Sequence, residues 1–328
     1  MKNIIVTGGC GFIGHHLVEH IIRNTDWNVI VIDKLSYSSK GLDRLRSANL
    51  INHKRIKVFT FDFTTKMTEG LKQEIGEVDY IAHLGAESHV DNSISNPRDC
   101  FKDNIFGTIE LLEYAKTLKK LKLFFYFSTD EVFGPALNGT SFKEWDRHNP
   151  TNPYSASKSA AENICLAYSN TYKLPIIIVN NMNVFGERQY IEKFIPNTIK
   201  KILNNETVLI HSYQNKKKSG TRFYIHARNV ASCILFLIEK GKVSEKYNIT
   251  GEKEVSNYEL ALLISEIMGK KLNYEMIDFH SSRPGHDLRY ALTDENLKAL
   301  GWSQPSDFEN SLKKTVEWTL ENKEWLEY

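Results

Sequence analysis

The chain has little cysteine, almost no net charge and no long hydrophobic run, and each shortage excludes a class of protein. Its four cysteines are widely separated and form no Cys-x-x-Cys pair, so we expect buried thiols rather than a zinc site or a disulfide framework. Lysine and arginine total 42 against 40 acidic residues, which leaves no field to attract nucleic acid or an anionic membrane. The chain begins without a long apolar run or a small-residue cleavage site, and we predict a cytoplasmic protein without a membrane span or a metal.

Short apolar runs alternate with amphipathic stretches through the first half of the chain. The runs are rich in β-branched residues and too short for buried helices, so they predict strands separated by helices. Six strands are predicted, at residues 4–7, 29–32, 57–61, 80–84, 123–127 and 175–179. The predicted fold is α/β, with a doubly wound parallel sheet of the Rossmann type.

The second half is less regular and predicts a smaller, mixed α/β lobe that holds the substrate. Candidate helices lie at residues 196–204, 230–240, 258–268 and 308–320, with short strand-like pieces between them. We therefore divide the chain into a dinucleotide-binding domain, residues 1–180, and a substrate lobe, residues 181–328. Some segments of the lobe are expected to return and pack on the first domain.

A glycine-rich turn follows the first predicted strand and opens the first helix. Gly8, Gly11 and Gly14 have the Gly-x-x-Gly-x-x-Gly spacing, which lets the backbone turn tightly and brings a pyrophosphate onto the helix N-terminus. Phe12 and Ile13 lie inside this motif and belong to the same predicted site. A glycine turn that binds nothing is the alternative, and the strand before it and the helix after it argue against that reading.

Two aspartates at strand ends complete the predicted cofactor site. Asp33 closes the second strand, where a carboxylate accepts hydrogen bonds from ribose hydroxyls and repels a 2′-phosphate, so NAD is predicted rather than NADP. Asp62 ends the third strand and could reach the adenine. An ordinary aspartate that ends a strand fits this second position nearly as well.

Tyr154 and Lys158 lie four residues apart in a helix predicted to begin near Pro153, and so share one face. An ammonium favours phenolate and is expected to lower the pKa of the neighbouring tyrosine. Such a pair, which also contacts the cofactor, can take a hydroxyl proton while hydride leaves the same carbon. A Tyr-x-x-x-Lys spacing alone usually marks an exposed helix, but the glycine motif before it favours the catalytic reading.

An acid and a base precede this pair, although hydride transfer alone needs neither. Thr129, Asp130 and Glu131 follow the fifth predicted strand directly. The combination indicates an oxidation coupled to an elimination. Without its neighbours, the triplet would be read as a solvated turn.

Together these residues resemble the extended short-chain dehydrogenase/reductase family over nearly the whole chain, and more closely its nucleoside-diphosphate-glucose 4,6-dehydratases. Four stretches carry the closer likeness, at residues 83–91, 128–134, 192–196 and 283–287. Epimerases and decarboxylases of the family share the glycines and the Tyr/Lys pair but lack the Thr-Asp-Glu run. The resemblance implies NAD as the cofactor and a nucleotide sugar as the substrate.

The resemblance also implies a role for each member of the triplet. Once C4 of the glucose is oxidised to a ketone, Glu131 removes the C5 proton and Asp130 protonates the departing C6 hydroxyl, while Thr129 hydrogen-bonds the C4 oxygen. The two carboxyl groups then need pKa values that are pushed apart, because one works ionised and the other protonated.

Further residues match family positions beside the substrate. Asn183 is expected near the diphosphate, and Arg222 and Arg283 match phosphate-binding arginines, whose planar forks suit a diphosphate. Surface ion pairs are the alternative for these positions. The remaining expected contacts are Ser88, Glu192, Lys193, Asn248 and Tyr290.

The chain departs from the family pattern at several positions. Phe133 and Phe185 stand in place of tyrosines, and Asn180 replaces an arginine at the end of the sixth strand. The basic loop 214–219 is longer than in the family, and a solvated loop is preferred over a diphosphate contact. His211 lies where thymidine-specific members tend to have Tyr and some uridine-specific ones His, which favours UDP-glucose over dTDP-glucose.

Three hypotheses from different classes follow. The first, which we favour, is a nucleotide-sugar 4,6-dehydratase with tightly held NAD. The second is an epimerase or decarboxylase of the same fold, in which Asp130 and Glu131 would be incidental. The third is a non-catalytic NAD-sensing or scaffold protein, which the presence of both Tyr154 and Lys158 disfavours.

The resemblance further implies a homodimer. Related enzymes pair through the Tyr/Lys helix and the long helix before it, here around residues 104–116. Ile105, Ile109 and Leu112 are expected to form an apolar stripe there, although packing in the core would look the same in sequence.

Overall fold

The computed structural model describes residues 1–278 and 288–327 and has an α/β fold. Its strands are β1 (Asn3–Thr7), β2 (Asn28–Asp33), β3 (Ile56–Thr60), β4 (Tyr80–His83), β5 (Leu123–Thr129), β6 (Ile176–Asn181), β7 (Asn183–Phe185), β8 (Val208–Ser212), β9 (Thr221–His226), β10 (Lys246–Ile249), β11 (Glu254–Ser256) and β12 (Tyr274–Asp278). All six strands predicted for the first half are confirmed, with their bounds within two residues.

The helices alternate with these strands in the first half of the chain. They are α1 (Phe12–Asn24), α2 (Asp43–Ser47), α3 (Glu69–Ile75), α4 (Val90–Ser95), α5 (Pro97–Phe101), α6 (Gly107–Thr117), α7 (Pro153–Tyr172), α8 (Phe194–Leu203), α9 (Ala227–Lys240), α10 (Asn257–Ile267), α11 (Glu295–Ala299) and α12 (Phe308–Glu321). A π-helical turn, Lys102–Phe106, joins α5 to α6, and 3-10 turns lie at Tyr37–Ser39, Asp130–Phe133 and Lys323–Leu326. In the two described ranges, every helix is too short or too polar to reach across a lipid bilayer.

Seven parallel strands form the central sheet in the order β10-β6-β5-β4-β1-β2-β3. The order reverses between β1 and β4, and ligands of such sheets bind in the crevice beyond the carboxyl ends of the strands at that point. All seven residues of β5 are buried, as expected for a central strand that is covered on both faces. The predicted doubly wound parallel sheet is confirmed.

Helices cover both faces of the sheet and complete two apolar cores. On one face α1 and α9 pack together, with Leu17 and Ile234 among their buried residues. On the other face α6 and α7 contribute Leu111, Ala161 and Cys165. The four cysteines are all buried free thiols, as the sequence predicted.

The seventh strand, β10, was not predicted, and it comes from the second half of the chain. Its four residues include a lysine and an asparagine, so it lacks the apolar run by which the other strands were found. It pairs with β6, with Lys246 opposite Ile178, and all four of its residues are buried. A strand from the second half of the chain thus completes the seven-stranded sheet. A domain boundary at residue 180 stays a prediction.

The smaller elements of the second half surround their own core. A three-stranded sheet, β11-β9-β7, and a two-stranded sheet, β12-β8, pack with α8, α10 and α12. Leu312 and Val316 of α12 are buried there, so this helix packs against the core of the second half. The four helices predicted in this half are present, with bounds within three residues.

Candidate active site

A cleft of about 350 Å³ opens at the carboxyl ends of the sheet strands, and most of the predicted site residues line it. The segments after β1, β2, β4, β5 and β6 contribute to its walls, together with the start of α7. The predicted residues found there are Gly8, Gly11, Phe12, Ile13, Gly14, Asp33, Ser88, Thr129, Asp130, Glu131, Tyr154, Lys158, Asn183, Glu192 and Lys193.

The glycine turn packs closely against neighbouring backbone because its residues lack side chains. Gly8 has a positive φ of 68°, and a Cβ there would lie 2.8 Å from the Gly85 backbone. A Cβ on Gly14 would lie 2.0 Å from the Gly8 carbonyl oxygen. The turn after β1 therefore comes within backbone contact of α1, and the helix N-terminus faces the cleft, which suits a pyrophosphate.

Asp33 lies at the end of β2 with its carboxylate held in place. One oxygen accepts a hydrogen bond from the Cys10 amide at 2.9 Å, and the other accepts from the Leu35 amide at 2.8 Å. Burial raises the pKa of Asp33, while these amides and the guanidinium of Arg44 act in the opposite direction. The carboxylate thus ties the glycine turn to β2 beside the cleft.

Arg44 also lines this end of the cleft, and the sequence motifs did not identify it. Its Nη1 donates to the carbonyls of Ser38 at 2.6 Å and Ser39 at 2.8 Å, whereas its buried Nη2 has no protein partner among the described residues. A buried donor without a partner is costly unless a ligand accepts from it. Asp62 does not line the cleft; its Oδ1 accepts from the Thr64 amide at 3.0 Å, so its adenine contact stays a prediction.

The end of β5 presents the Thr-Asp-Glu triplet to the cleft. Thr129 Oγ1 donates to Asp130 Oδ1 at 3.0 Å and accepts from the Glu131 amide at 3.4 Å, which organises the turn. Asp130 is only 5% exposed, and its Oδ2 has no hydrogen-bond partner in the described ranges. Burial, together with the charge of Glu131, raises the pKa of Asp130 to about 7, while Arg222 acts against this shift. Asp130 can therefore hold a proton near neutral pH.

Glu131 is less buried and has a polar partner. Its Oε2 accepts from Asn152 Nδ2 at 3.1 Å. Asn152 is also the N-cap of α7, where its Oδ1 accepts from the Ser155 amide at 2.8 Å and Pro153 occupies the first turn. The start of the helix therefore positions the carboxylate of Glu131. Sequence reasoning missed Asn152, although an Asn-Pro pair before a helix is a recognisable capping signal.

Tyr154 and Lys158 share the buried face of α7, as predicted. Lys158 Nζ donates to the Phe127 carbonyl at 2.6 Å and lies 4.5 Å from the ring centre of Tyr126. Burial lowers the pKa of Lys158 to about 8. Burial and the Glu131 charge raise the pKa of Tyr154, so the lowering that we predicted from the ammonium alone is wrong for this arrangement. Desolvation outweighs the attraction of a lysine whose nearest bond is to a carbonyl.

Four of the predicted substrate contacts line the cleft and four described ones do not. Ser88, Asn183 and the Glu192–Lys193 pair, which is linked by an ion pair of 3.4 Å, belong to the first group. Arg222 donates to the carbonyls of Thr221 and Leu288 and lies 4.8 Å from the ring of Tyr290. The positions outside the cleft lining are Arg222, Tyr290, Asn248 and His211.

Two of these outer positions, Asn248 and His211, lie within strands of the second half of the chain. Asn248 is fully buried in β10 and donates to the Thr293 carbonyl at 2.9 Å. His211 lies in β8 opposite Ile277 of β12. Arg283 and the stretch 283–287 lie outside the described residues. All substrate contacts named from the sequence stay predictions.

The substituted aromatic positions are filled by packing. Phe133 stacks on Phe142 with ring centres 5.5 Å apart, and Phe185 meets the edge of His226 at 5.2 Å.

Asn181, which the sequence did not single out, also lines the cleft, and its buried Oδ1 has no partner in the part of the chain that the structure describes. It ends the buried strand β6, where only tertiary structure shows which side chain faces the cleft.

Known proteins are similar to this chain over nearly its whole length. Residues 5–315 match the family model described as GDP-mannose 4,6 dehydratase. A dTDP-glucose 4,6-dehydratase of Escherichia coli is 36% identical over 347 residues, which cover 99% of this chain and 94% of that protein. A trifunctional UDP-glucose 4,6-dehydratase/UDP-4-keto-6-deoxy-D-glucose 3,5-epimerase/UDP-4-keto-L-rhamnose-reductase of Arabidopsis thaliana is 36% identical over 331 residues. The match covers 99% of this chain and 48% of that protein, so the chain spans about half the length of the first curated relatives it matches.

Solved structures agree with these relatives. The crystal structure of a dTDP-glucose 4,6-dehydratase from Streptomyces venezuelae with NAD bound has a TM-score of 0.89 and 30% identity, and the match covers 99% of both chains. A UDP-N-acetylglucosamine 4-epimerase of Methanobrevibacter ruminantium has a TM-score of 0.85 at 27% identity, with 98% of this chain and 99% of that chain covered. The resemblance predicted from the sequence is confirmed: the chain belongs to the GDP-mannose 4,6 dehydratase family, within the extended short-chain dehydrogenase/reductases.

Proposed function

We propose that this chain is an NAD-dependent 4,6-dehydratase that acts on a nucleoside-diphosphate-glucose. The observation that carries the proposal is the pair of unlike carboxyl groups, buried Asp130 and hydrogen-bonded Glu131, on one turn beside Tyr154 and Lys158. Epimerisation at C4 needs the Tyr/Lys pair but leaves the two carboxyl groups without a task. Curated and solved 4,6-dehydratases among the relatives support the same choice.

The residues of the cleft fit NAD. The glycine turn brings backbone amides to a pyrophosphate, and Asp33 offers its carboxylate to ribose hydroxyls. Arg44 adds a hydrogen-bond donor to this part of the cleft, and Tyr154 and Lys158 line the part beside the Thr-Asp-Glu triplet. When bound, NAD supplies a hydride acceptor for C4 and a hydride donor for C6, so the reaction consumes no cofactor.

The side chains of the cleft supply the proton transfers. Tyr154 takes the proton of the C4 hydroxyl, with Lys158 one helical turn away on the same buried face of α7. The C4 ketone makes the C5 proton acidic, and Glu131, held by Asn152, removes it. Asp130 gives its proton to the departing C6 hydroxyl, which leaves as water. Glu131 then returns a proton to C5, and the product is a 4-keto-6-deoxy sugar.

We propose UDP-glucose rather than dTDP-glucose as the substrate. This choice rests on the histidine at position 211, which lies on β8 outside the lining of the cleft. Relatives named for each sugar are 36% identical to this chain, so overall similarity does not separate the two substrates. A kinetic comparison of the two sugars tests this choice directly.

We also propose that the protein is a cytoplasmic homodimer. The apolar surface for pairing centres on Phe106, which is 58% exposed where α5 continues into α6, with Ile105 and Ile109 half-buried beside it. Leu112 does not belong to that surface, because it is fully buried in the core against the sheet. Four buried free thiols suit a reducing compartment.

Product mass is the first test of the function. Incubated with UDP-glucose or dTDP-glucose, the holoenzyme should give a product lighter by one water, without net formation of NADH. In deuterated water the product should carry deuterium at C5, because Glu131 exchanges its proton. A product of unchanged mass would indicate epimerisation, and no reaction with either sugar would contradict the proposal.

Replacing the base should separate oxidation from elimination. Glu131→Gln keeps the size of the side chain but cannot accept a proton, so NADH should accumulate on the enzyme while water loss falls by about 10²–10⁴-fold. Rapid-mixing absorbance and product mass measure the two steps. Glu74→Gln, which changes an exposed glutamate of α3 outside the cleft lining, serves as the matched control and should leave both steps unchanged. Near-normal water loss in Glu131→Gln would remove this residue from its role.

The pKa of about 7 on Asp130 predicts the pH dependence of the elimination. As a general acid, Asp130 works protonated, so the elimination rate should fall about tenfold per pH unit above about pH 7. Single-turnover measurement isolates this step from the ionisation of Lys158, which acts on C4 oxidation. In Asp130→Asn the step should be slow and independent of pH. An unchanged elimination rate up to about pH 9 in the unsubstituted enzyme would contradict the assignment.

A charged residue in place of the exposed Phe106 should dissociate the proposed dimer. Phe106→Glu places a carboxylate in the proposed apolar contact, so the mass from light scattering should fall to that of one chain. Leu137→Glu is the control, because Leu137 is 77% exposed and belongs to neither α6 nor α7. Equal masses for the two variants would argue against pairing through α6 and α7.

A further inference from the structure

A buried polar network lies behind the Thr-Asp-Glu triplet and takes no part in the chemistry described above. Its centre is Glu162, which is fully buried one helical turn beyond Lys158, on the face of α7 that also carries Tyr154. Glu162 Oε1 accepts from Ser128 Oγ at 2.5 Å and from Asn180 Nδ2 at 2.6 Å. One carboxylate oxygen therefore joins α7 to β5 and β6.

The second oxygen of Glu162 faces the seventh strand. It lies 2.8 Å from Lys246 Nζ and 3.5 Å from His148 Nε2. Burial lowers the pKa of His148, so the histidine is neutral and the balancing positive charge is that of Lys246. Lys246 is itself buried, and its Nζ lies 5.3 Å from the ring centre of Phe133. A buried carboxylate is tolerated only when it is paired and hydrogen-bonded in this way.

This network holds the backbone on which the triplet stands. Ser128 and Thr129 are the last residues of β5, and the Asn180 amide bridges Glu162 to the Thr129 carbonyl at 3.2 Å. On the far side of the triplet, Phe133 rests against Lys246. Both ends of the turn that carries Asp130 and Glu131 therefore contact the Glu162–Lys246 pair or its partners.

The network also gives the asparagine at position 180 a role. Asn180 is uncharged and lies near the end of β6, so β6 carries no cation at this point. Asn180 lies within hydrogen-bond distance of Glu162, and Lys246 supplies the positive charge from β10 on the other side of β6. A charge on either strand could meet the same carboxylate.

Glu162 is also the main charged group that acts against the effect of burial on the pKa of Lys158. Burial lowers the pKa of Lys158, and Glu162 is the first of the groups that raise it. Among the described residues, the other titratable groups that face Lys158 carry no charge near neutral pH. They are Tyr154 and Cys165 on α7, Cys100 on α5, Tyr126 on β5 and His83 on β4, whose pKa burial lowers to about 3.

We propose that Glu162, balanced by Lys246, is a positioning residue of the active site: it anchors the Ser128–Thr129 backbone and places a negative charge one helical turn beyond Lys158. This inference rests on the proposed function, because its effect is read in the oxidation and elimination steps. Neither residue lines the cleft, so neither is expected to contact the nucleotide sugar.

The test removes the pair as a unit. Removing one buried partner leaves an unbalanced charge and unfolds many proteins, whereas removing both with residues of similar size is often tolerated. In Glu162→Gln/Lys246→Met the enzyme should remain folded and keep its NAD. The alkaline limit of C4 oxidation, which reports Lys158, should move about one pH unit lower, and elimination at pH 7 should slow about tenfold or more with little change in KM.

Two further variants make the test specific. Asn180→Arg/Lys246→Met moves the cation from β10 to β6 and should restore the alkaline limit and bring both rates within about threefold of the unsubstituted enzyme. Asp79→Asn/Lys122→Met removes another ion pair, which joins atoms 2.8 Å apart away from the cleft, and should leave both steps unchanged.

The outcomes separate the inference from the proposed function. A Glu162→Gln/Lys246→Met enzyme with an unchanged alkaline limit and unchanged rates per folded molecule overturns the inference, even if its thermal stability falls. Failure of Asn180→Arg/Lys246→Met to recover also counts against it. If the unsubstituted enzyme removes no water from either sugar, the proposed function fails and this inference fails with it.

Discussion

Burial of the carboxyl end of β5 is the constraint on which the rest of the site depends. The strand is covered on both faces, so its last residues leave the sheet in a region that water hardly reaches. Asp130 is desolvated there, which raises its pKa to about 7, whereas Glu131 one residue later reaches the polar start of α7. Two adjacent carboxyl groups thus acquire different environments from a single turn of backbone.

The long helix α7 connects this turn to the rest of the chemistry. Its N-cap, Asn152, holds Glu131, and its first two turns carry Tyr154 and Lys158. One turn further, Glu162 bonds back to Ser128 at the end of β5. Helix and strand therefore cannot shift past each other without breaking hydrogen bonds on both sides of the site. This coupling suits the proposed oxidation and elimination, which act on neighbouring carbons of one sugar.

Much of the fold and of the site could be predicted from the sequence because the relevant signals are local. Six strands follow from short β-branched runs, the glycine turn from its spacing, and the Tyr/Lys face from the period of a helix. The seventh strand, β10, was missed because Lys246 and Asn248 interrupt the apolar run by which the other strands were recognised. Its pairing with β6 joins residues far apart in the chain, and no local pattern reports such a contact.

The sequence by itself determined which groups are available: the glycines, Asp33, the Thr-Asp-Glu triplet and the Tyr/Lys pair. The tertiary structure alone decided what each group experiences. Only packing shows that Asp130 is buried while Glu131 is hydrogen-bonded, and that burial raises rather than lowers the pKa of Tyr154. The reason is physical, because desolvation and charge pairing depend on neighbours that the fold brings together from distant parts of the chain.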